Sequence, residues 1–311
     1  MNAQGLPTTI PAYLDQLNAA LKGADPAMIQ DALYDAEEYL RSELAEQSGK
    51  SEAEVIASVA SSYGAPEEVA DIYRDTEVTV NRALRAPAQP KRKSLPGRFF
   101  GVLVDPRTYG ALFYMLLSLA TGIVYFTVVT TGVSLSLGLL VLIIGVPLLV
   151  LFLGLIRVLS LVEGRIVEVL LGERMPRRPL YTQRGKGWLE RIKEMFTDAR
   201  TWTAMLYFLL MLPLGIAYFT VAVTGLAVSL SFIAAPLAVW TGIAQVGSDA
   251  NGWLFLGDAG NGITTNVQMW QLPLLLVAGF LLFFVVLHLA KGIGKLHGLL
   301  AKHLLVRNPV V

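Results

Sequence analysis

The chain has three histidines, His288, His297 and His303, and no cysteine. Without thiols there is no disulfide, no thiolate metal site and no cysteine nucleophile. At 100° per residue His288 and His297 fall about 180° apart on one helix and cannot share a metal. All three are expected to snorkel at an interface or meet lipid headgroups. No Walker-type phosphate loop, GxSxG or HExxH occurs in the sequence. No catalytic residue, cofactor site or metal site is therefore expected, and the chain reads as non-enzymatic.

What stands out is a duplicated polar signature, Asp105-x-Arg107-Thr108 and Asp198-x-Arg200-Thr201. Each Asp can cap the helix that follows, and each Arg can pair with a lipid phosphate or a neighbouring helix. These six residues are the candidates for coupling. Arg157 precedes Glu163 by about 9 Å of helix and is expected to snorkel to the interface, whereas a buried partner would make it a functional residue. Asp249 and Asp258, with Asn251, Trp253 and Asn261, are candidate ligand contacts in a polar loop. Their residue types also suit an ordinary solvated loop. Tyr114, Tyr125, Tyr207 and Tyr218 read as packing or interface-belt aromatics.

The elements that must position these residues are set by hydropathy. The chain is 54% hydrophobic and 16% charged, with mean hydropathy +0.55. A soluble protein of 311 residues could not cover its surface with so little polarity. A net charge of +1 excludes direct nucleic-acid binding as the main role. Residues 108–156 carry no formal charge, and 201–290 carry only Asp249 and Asp258. The first stretch holds two crossings, with a turn expected near Thr130-Thr131-Gly132. The second holds crossings near 203–224 and 272–290. The piece 226–244 is expected to lie shallowly in the outer leaflet or to break at Pro236. Basic residues then fall on one side, in the N-terminal block, the 157–200 loop and the C-terminal tail. The loop 246–270, without Lys or Arg, falls on the other. The N-terminus lacks the features of a cleaved signal peptide.

The membrane part is two copies of one pattern offset by 93 residues. DPRTYGALFYMLLSLATGIVYFTVVTTGVSLSL from Asp105 matches DARTWTAMLYFLLMLPLGIAYFTVAVTGLAVSL from Asp198, and LVEGRIVEVLLG faces KLHGLLAKHLLV with Gly164 opposite Gly298. Both copies start on the same side, so the repeat is parallel, with a pseudo-twofold axis normal to the membrane expected. Each copy opens on an interfacial lead-in. In the second, Trp188, Leu189, Ile192, Met195 and Phe196 oppose Glu190, Arg191, Lys193 and Glu194. In the first, Phe99, Phe100, Val102 and Leu103 accompany Arg98.

Residues 8–86 read as a helical bundle. Ile10, Tyr13, Leu14, Leu17 and Leu21 mark a first helix. Asp25 and Pro26 open a second with the stripe Met28, Ile29, Leu33, Ala36, Tyr39, Leu40 and Leu44. Ser51 and Glu54 form a capping box for a third with Val55, Ile56 and Val59. Gly64 and Pro66 separate it from a fourth with Val69, Ile72 and Tyr73. The Pro-containing basic stretch after Ala86 is a stiff linker able to hold anionic lipid.

The block from Tyr13 to Tyr73, closing on YGAPEEVADIY, resembles the HAAS family of small helical signalling domains. The repeat, with DPRTYGALFY, GIVYFTVVTTG and VEGR, resembles the "sensor" membrane domain of actinobacterial-type sensor histidine kinases. The first resemblance implies a cytoplasmic protein partner of the PadR transcription-regulator kind, the second perception of a membrane or envelope cue. A phosphoacceptor-histidine helix and an ATP-binding module are missing from these residues, so output is expected through the N-terminal block or through movement of the cytoplasmic helices. The expected fold is all-α: a cytoplasmic helical bundle at 1–86, a linker at 87–97, and four transmembrane helices in repeats at 98–180 and 181–311. The expected function is a non-enzymatic membrane signalling protein at the inner membrane with both termini cytoplasmic. The runner-up is a small transport or lipid-handling protein. A third reading is a homo-oligomeric scaffold using Gly122, Gly138 and Gly215 for helix contact.

Overall fold

A computed structural model describes residues 7–47, 49–84, 95–142, 144–178, 193, 196–242, 246–248, 253–256 and 265–306. The order is α1 (Ile10–Ala20), α2 (Pro26–Glu46), α3 (Glu52–Ser62), α4 (Pro66–Leu84), α5 (Leu95–Phe100), α6 (Pro106–Gly138), α7 (Gly145–Leu171), α8 (Ala199–Trp240), strands β1 (Val246–Ser248), β2 (Trp253–Leu256) and β3 (Thr265–Gln268), and α9 (Leu272–Leu305). The fold is helical, and α6 to α9 are each long and apolar enough to cross a membrane. Two compact units emerge: residues 1–88, 125–210 and 297–311 in the first, 89–124 and 211–296 in the second.

In the first unit, α1 to α4 enclose a core of Tyr13, Leu14, Leu17, Leu21, Met28, Leu40, Ile56, Val59 and Val69. The caps are where their residue types place them. Asp25 accepts from the Ala27 N–H at 2.9 Å, and the Ser51–Glu54 capping box is closed. Gly64, at φ 114°, turns the chain into α4, and its carbonyl accepts the Tyr13 hydroxyl at 2.8 Å. Ile72, expected inward, is exposed instead. The buried face of α4 is centred on Val69, Ala70 and Tyr73, and Ile72 falls about 100° away from it.

Two membrane elements depart from expectation. The turn expected at Thr130-Thr131-Gly132 lies further on, because α6 runs to Gly138. The Thr130 hydroxyl donates to the Phe126 carbonyl at 2.7 Å, so the threonine stays inside the helix, and Gly132 makes room for the Phe152 ring. The chain reverses through Leu139–Ile144, where the Gly145 N–H bonds the Leu139 carbonyl at 3.0 Å. A side chain at Gly145 would strike the backbone of Leu139 and Leu140. The segment expected to break at Pro236 does not, since α8 is one helix through Pro213 and Pro236 to Trp240. A proline forfeits one helical bond, whereas breaking a helix in hydrocarbon frees several polar groups.

In the second unit the loop expected at 246–270 carries a three-stranded antiparallel meander, with Val246 opposite Leu256 and Trp253 opposite Gln268. The first lead-in, α5 with the 3₁₀ turn Gly101–Val104, divides its apolar residues. Val102 is buried with Phe284 and Leu287 of α9, and Phe99 stacks on His288, while Phe100, Leu103 and Val104 stay exposed. In the second lead-in, Trp188, Leu189, Glu190, Arg191, Ile192, Glu194 and Met195 lie outside the described residues, as do Asp249, Asn251, Asp258, Asn261 and most of the linker.

The 93-residue offset is visible in packing. In the second unit a Cβ on Gly122 would collide with the Met211 carbonyl and Leu212, and one on Gly215 with the Ser118 carbonyl and Leu119. Each contact is the other shifted by 93 at both ends, so α6 and α8 cross reciprocally. The exit helices repeat with an offset of 134. Gly132 meets Phe152 in the first unit as Gly225 meets Val286 in the second. Gly122 and Gly215 are thus engaged within the chain, while Gly138 has open space around it.

Candidate functional site

The two duplicated signatures form the same local turn. Asp105 Oδ1 accepts from the Arg107 N–H and Asp198 Oδ1 from the Arg200 N–H, both at 3.1 Å. These are the expected caps of α6 and α8. The following aromatics repeat as well: Tyr109 donates to the Leu103 carbonyl at 2.7 Å, and Trp202 to the Phe196 carbonyl at 2.9 Å. Thr108 and Thr201 contribute only their backbone N–H groups to the turn. Both side chains are buried, and neither hydroxyl oxygen has a hydrogen-bond partner among the described residues.

Each capping Asp uses its second oxygen on a cation from the opposite copy's exit helix. In the second unit Asp105 pairs with Lys291 at 2.6 Å; in the first, Asp198 pairs with Arg157 at 3.5 Å. Offsets of 93 and 134 convert one pair into the other. Arg157 is therefore a partly buried member of an ion pair and does not simply snorkel. Burial would raise the Asp105 carboxyl, but Lys291, the Arg107 N–H and the Arg107 charge hold it below the usual aspartate range. The arginines differ between copies. Arg200 donates to the Leu305 carbonyl at 2.7 Å at the end of α9, whereas the Arg107 side chain is exposed.

A second polar group was not foreseen. In the first unit Glu163 is fully buried and accepts the hydroxyls of Tyr125 and Tyr207, each at 2.8 Å. His297, also fully buried, lies 2.8 Å from the Tyr207 oxygen through Nε2. Because the Tyr207 hydroxyl gives its one proton to Glu163, His297 Nε2–H is the donor to Tyr207. The four residues come one from each of α6, α7, α8 and α9. His297 thus contradicts its expected interfacial place, and Tyr125 and Tyr207 are more than packing aromatics. A signal existed in the sequence: the alignment that sets Gly164 opposite Gly298 also sets Glu163 opposite His297. His288 and His303 are exposed.

The third arrangement joins the bundle to a loop after α7. Gly172, in the left-handed conformation at φ 74°, ends that helix. The loop then passes close to both exit helices. A Cβ on Gly164 would lie 3.3 Å from Met175, and one on Gly298 would collide with Glu173. Asp31 of α2 accepts from the successive N–H groups of Arg177 and Arg178 at 2.7 and 2.8 Å, a small anion-binding turn filled by a side chain. Gln30 donates to the Arg178 carbonyl at 2.7 Å, Arg178 pairs with Asp35 at 2.9 Å, and Lys302 pairs with Asp25. Burial pushes the Asp31 carboxyl up, against the opposing pull of the Arg178 and Arg177 N–H groups and of the Arg174 charge. Burial also lowers the Arg174 guanidinium, countered by Asp31 and Asp25. Both shifts mark a dry joint in which loss of one partner strands the other. An acidic stripe on α2 and the run Arg174-Met175-Pro176-Arg177-Arg178 were both legible in sequence; their pairing was not.

Of the proposed outer-loop contacts, Trp253 opens β2, its side chain lying outside the described residues together with Asp249 and Asp258. Among the described residues, no cluster of His, Asp and Glu could hold a metal.

Comparison with known families gives two matches in chain order. The HAAS model matches residues 12–72, and the Sensor model, described as "Putative sensor", matches 114–305, more than half of the chain. No curated protein and no solved structure matches.

Proposed function

The chain belongs to the Sensor family of membrane domains, and from that premise we propose a non-enzymatic protein of the bacterial inner membrane that passes a membrane or envelope cue to a cytoplasmic partner. The bundle, the basic loop and the C-terminal tail face the cytoplasm, in keeping with the distribution of Lys and Arg. Membrane lipids contact the apolar helices and the basic linker. The partner is a soluble transcription regulator of the PadR kind, held through residues 1–86.

The observation that carries this reading is the joint between α2 and the Glu173–Arg178 loop. The loop is gripped by one glycine from each copy and bonded to Asp31. A cue that shifts α7 or α9 moves the loop, strains the joint, and changes how much of the bundle is free for a partner. The test is a crosslinked pull-down from native membranes with the full chain, a version lacking 1–86, and Asp31→Arg. A DNA-binding regulator recovered with the intact chain, lost on deletion and altered by Asp31→Arg supports the reading. Identical recovery from all three sinks it.

Transport remains a second reading because Glu163 and His297 put ionisable groups inside the spans, where such groups often mark a polar path. Proton or amphiphile flux into vesicles carrying the purified chain, abolished by Glu163→Gln, would favour transport; signalling predicts no flux.

A further inference from the structure

Within the first unit, a cavity of about 240 Å³ lies where α2 meets α7, the Met175–Pro176 loop, the start of α8 and the end of α9. Part of its wall is apolar and belongs to membrane-crossing helices, with Ile156 and Leu161 on α7 and Ala204 on α8. The rest is polar and chemically divided. Arg157, Arg200 and Thr201 bring hydrogen-bond donors, with the Asp198 carboxylate beside Arg157, and Gln30, Glu37 and Glu38 bring acceptors from α2.

Three lining residues hold atoms that the described protein leaves unsatisfied: Gln30 Oε1, Arg157 Nε and Thr201 Oγ1. Gln30 is 8% exposed and Thr201 2%, so bulk water does not readily serve them. Gln30 is fixed by its other end, since its amide N–H₂ is bonded to the Arg178 carbonyl. A buried acceptor is thus held on the bundle side, and on the membrane side a buried hydroxyl with two half-buried guanidinium groups, one of them paired with Asp198.

We propose that this cavity binds the headgroup of a glycerophospholipid whose phosphodiester carries a hydrogen-bond donor, an ammonium or a hydroxyl. The phosphate is met by Arg157, Arg200 and the Thr201 hydroxyl, in charge-assisted bonds. The terminal donor is met by Gln30 Oε1 and the Glu38 carboxylate. The volume is below the roughly 300–1,000 Å³ of drug-sized pockets, so the headgroup enters and the acyl chains remain along the apolar wall. A bare anion would serve the arginines and leave the α2 acceptors unmatched. Binding here stands whether or not the bundle signals.

The test is a calorimetric titration of the delipidated full chain in detergent. The probes are dihexanoyl phosphatidylethanolamine, its phosphatidylcholine counterpart, chain-free glycerophosphoethanolamine and inorganic phosphate. Saturable binding of the first is expected, weaker by about tenfold or more for the choline lipid, which lacks the donor. Thr201→Val should weaken the ethanolamine lipid by about tenfold and Thr201→Ser should restore it, with unchanged melting temperature for both. Equal affinity for the two lipids overturns the proposal. So does binding of inorganic phosphate or the chain-free headgroup as tight as the lipid, and so does indifference to Thr201→Val.

Discussion

The two copies of the membrane repeat share a scaffold and differ in their polar ends. Both cap a crossing helix with an Asp, tie that Asp to a cation of the opposite exit helix, and make room for a neighbour at the same glycine. Yet one register of the exit helices holds Glu163 in the first copy and His297 in the second, and Arg200 grips a helix end where Arg107 is exposed. Duplication preserved what packing requires. It diverged where a side chain can be exchanged without moving a backbone.

The largest effect that can break this comparison is at the buried carboxylate. Glu163→Ala strands two tyrosine hydroxyls and should lower stability by about 3–5 kcal/mol, read as thermal unfolding in detergent. His297→Ala should cost less, about 1–3 kcal/mol, because one hydrogen bond is lost. Equal losses would mean that the two copies contribute equally there. Next, Gly122→Ala and Gly215→Ala should each destabilise by about 1–3 kcal/mol and to the same extent, as the reciprocal crossing demands. Gly138→Ala, in open space, should be neutral or gain up to about 1 kcal/mol from helix propensity. A large asymmetry between the first two would refute the shared crossing.

Arg200→Gln should then weaken the fold by about 1 kcal/mol through the lost bond to Leu305, while Arg107→Gln leaves the melting temperature unchanged. The smallest effect is pH-dependent. The Asp105 carboxyl lies below the usual aspartate value, so its stabilising contribution is complete above about pH 4 and is lost as pH falls through the lowered value. The pair with Lys291 is partly exposed and worth less than about 1 kcal/mol. Comparing acid unfolding of the wild type with Asp105→Asn should show the variants converging at low pH.

Much of this was legible in the sequence. The bundle's caps and stripes fell where Ser, Asp, Gly and Pro put them, because capping and periodicity are local. Four crossings followed from charge-free length, and the matched Asp caps of α6 and α8 from the repetition of Asp-x-Arg-Thr. The reversal at Leu139–Ile144 was hidden because it is built from apolar residues and has no polar turn signal. The run of α8 past Pro236 was missed because a proline rule drawn from water overstates the break in hydrocarbon. The β-meander was masked by loop-forming residues around it. Glu163 with His297, and Asp31 with the Arg177–Arg178 amides, depend on neighbours far along the chain, which local pattern does not specify.

Gly164 and Gly298 touch the same short loop from two helices. A strap held at two points cannot follow a common tilt or drift of both; it responds to the gap between them. The position of the loop therefore depends on the distance between Gly164 and Gly298, more than on where either helix lies by itself.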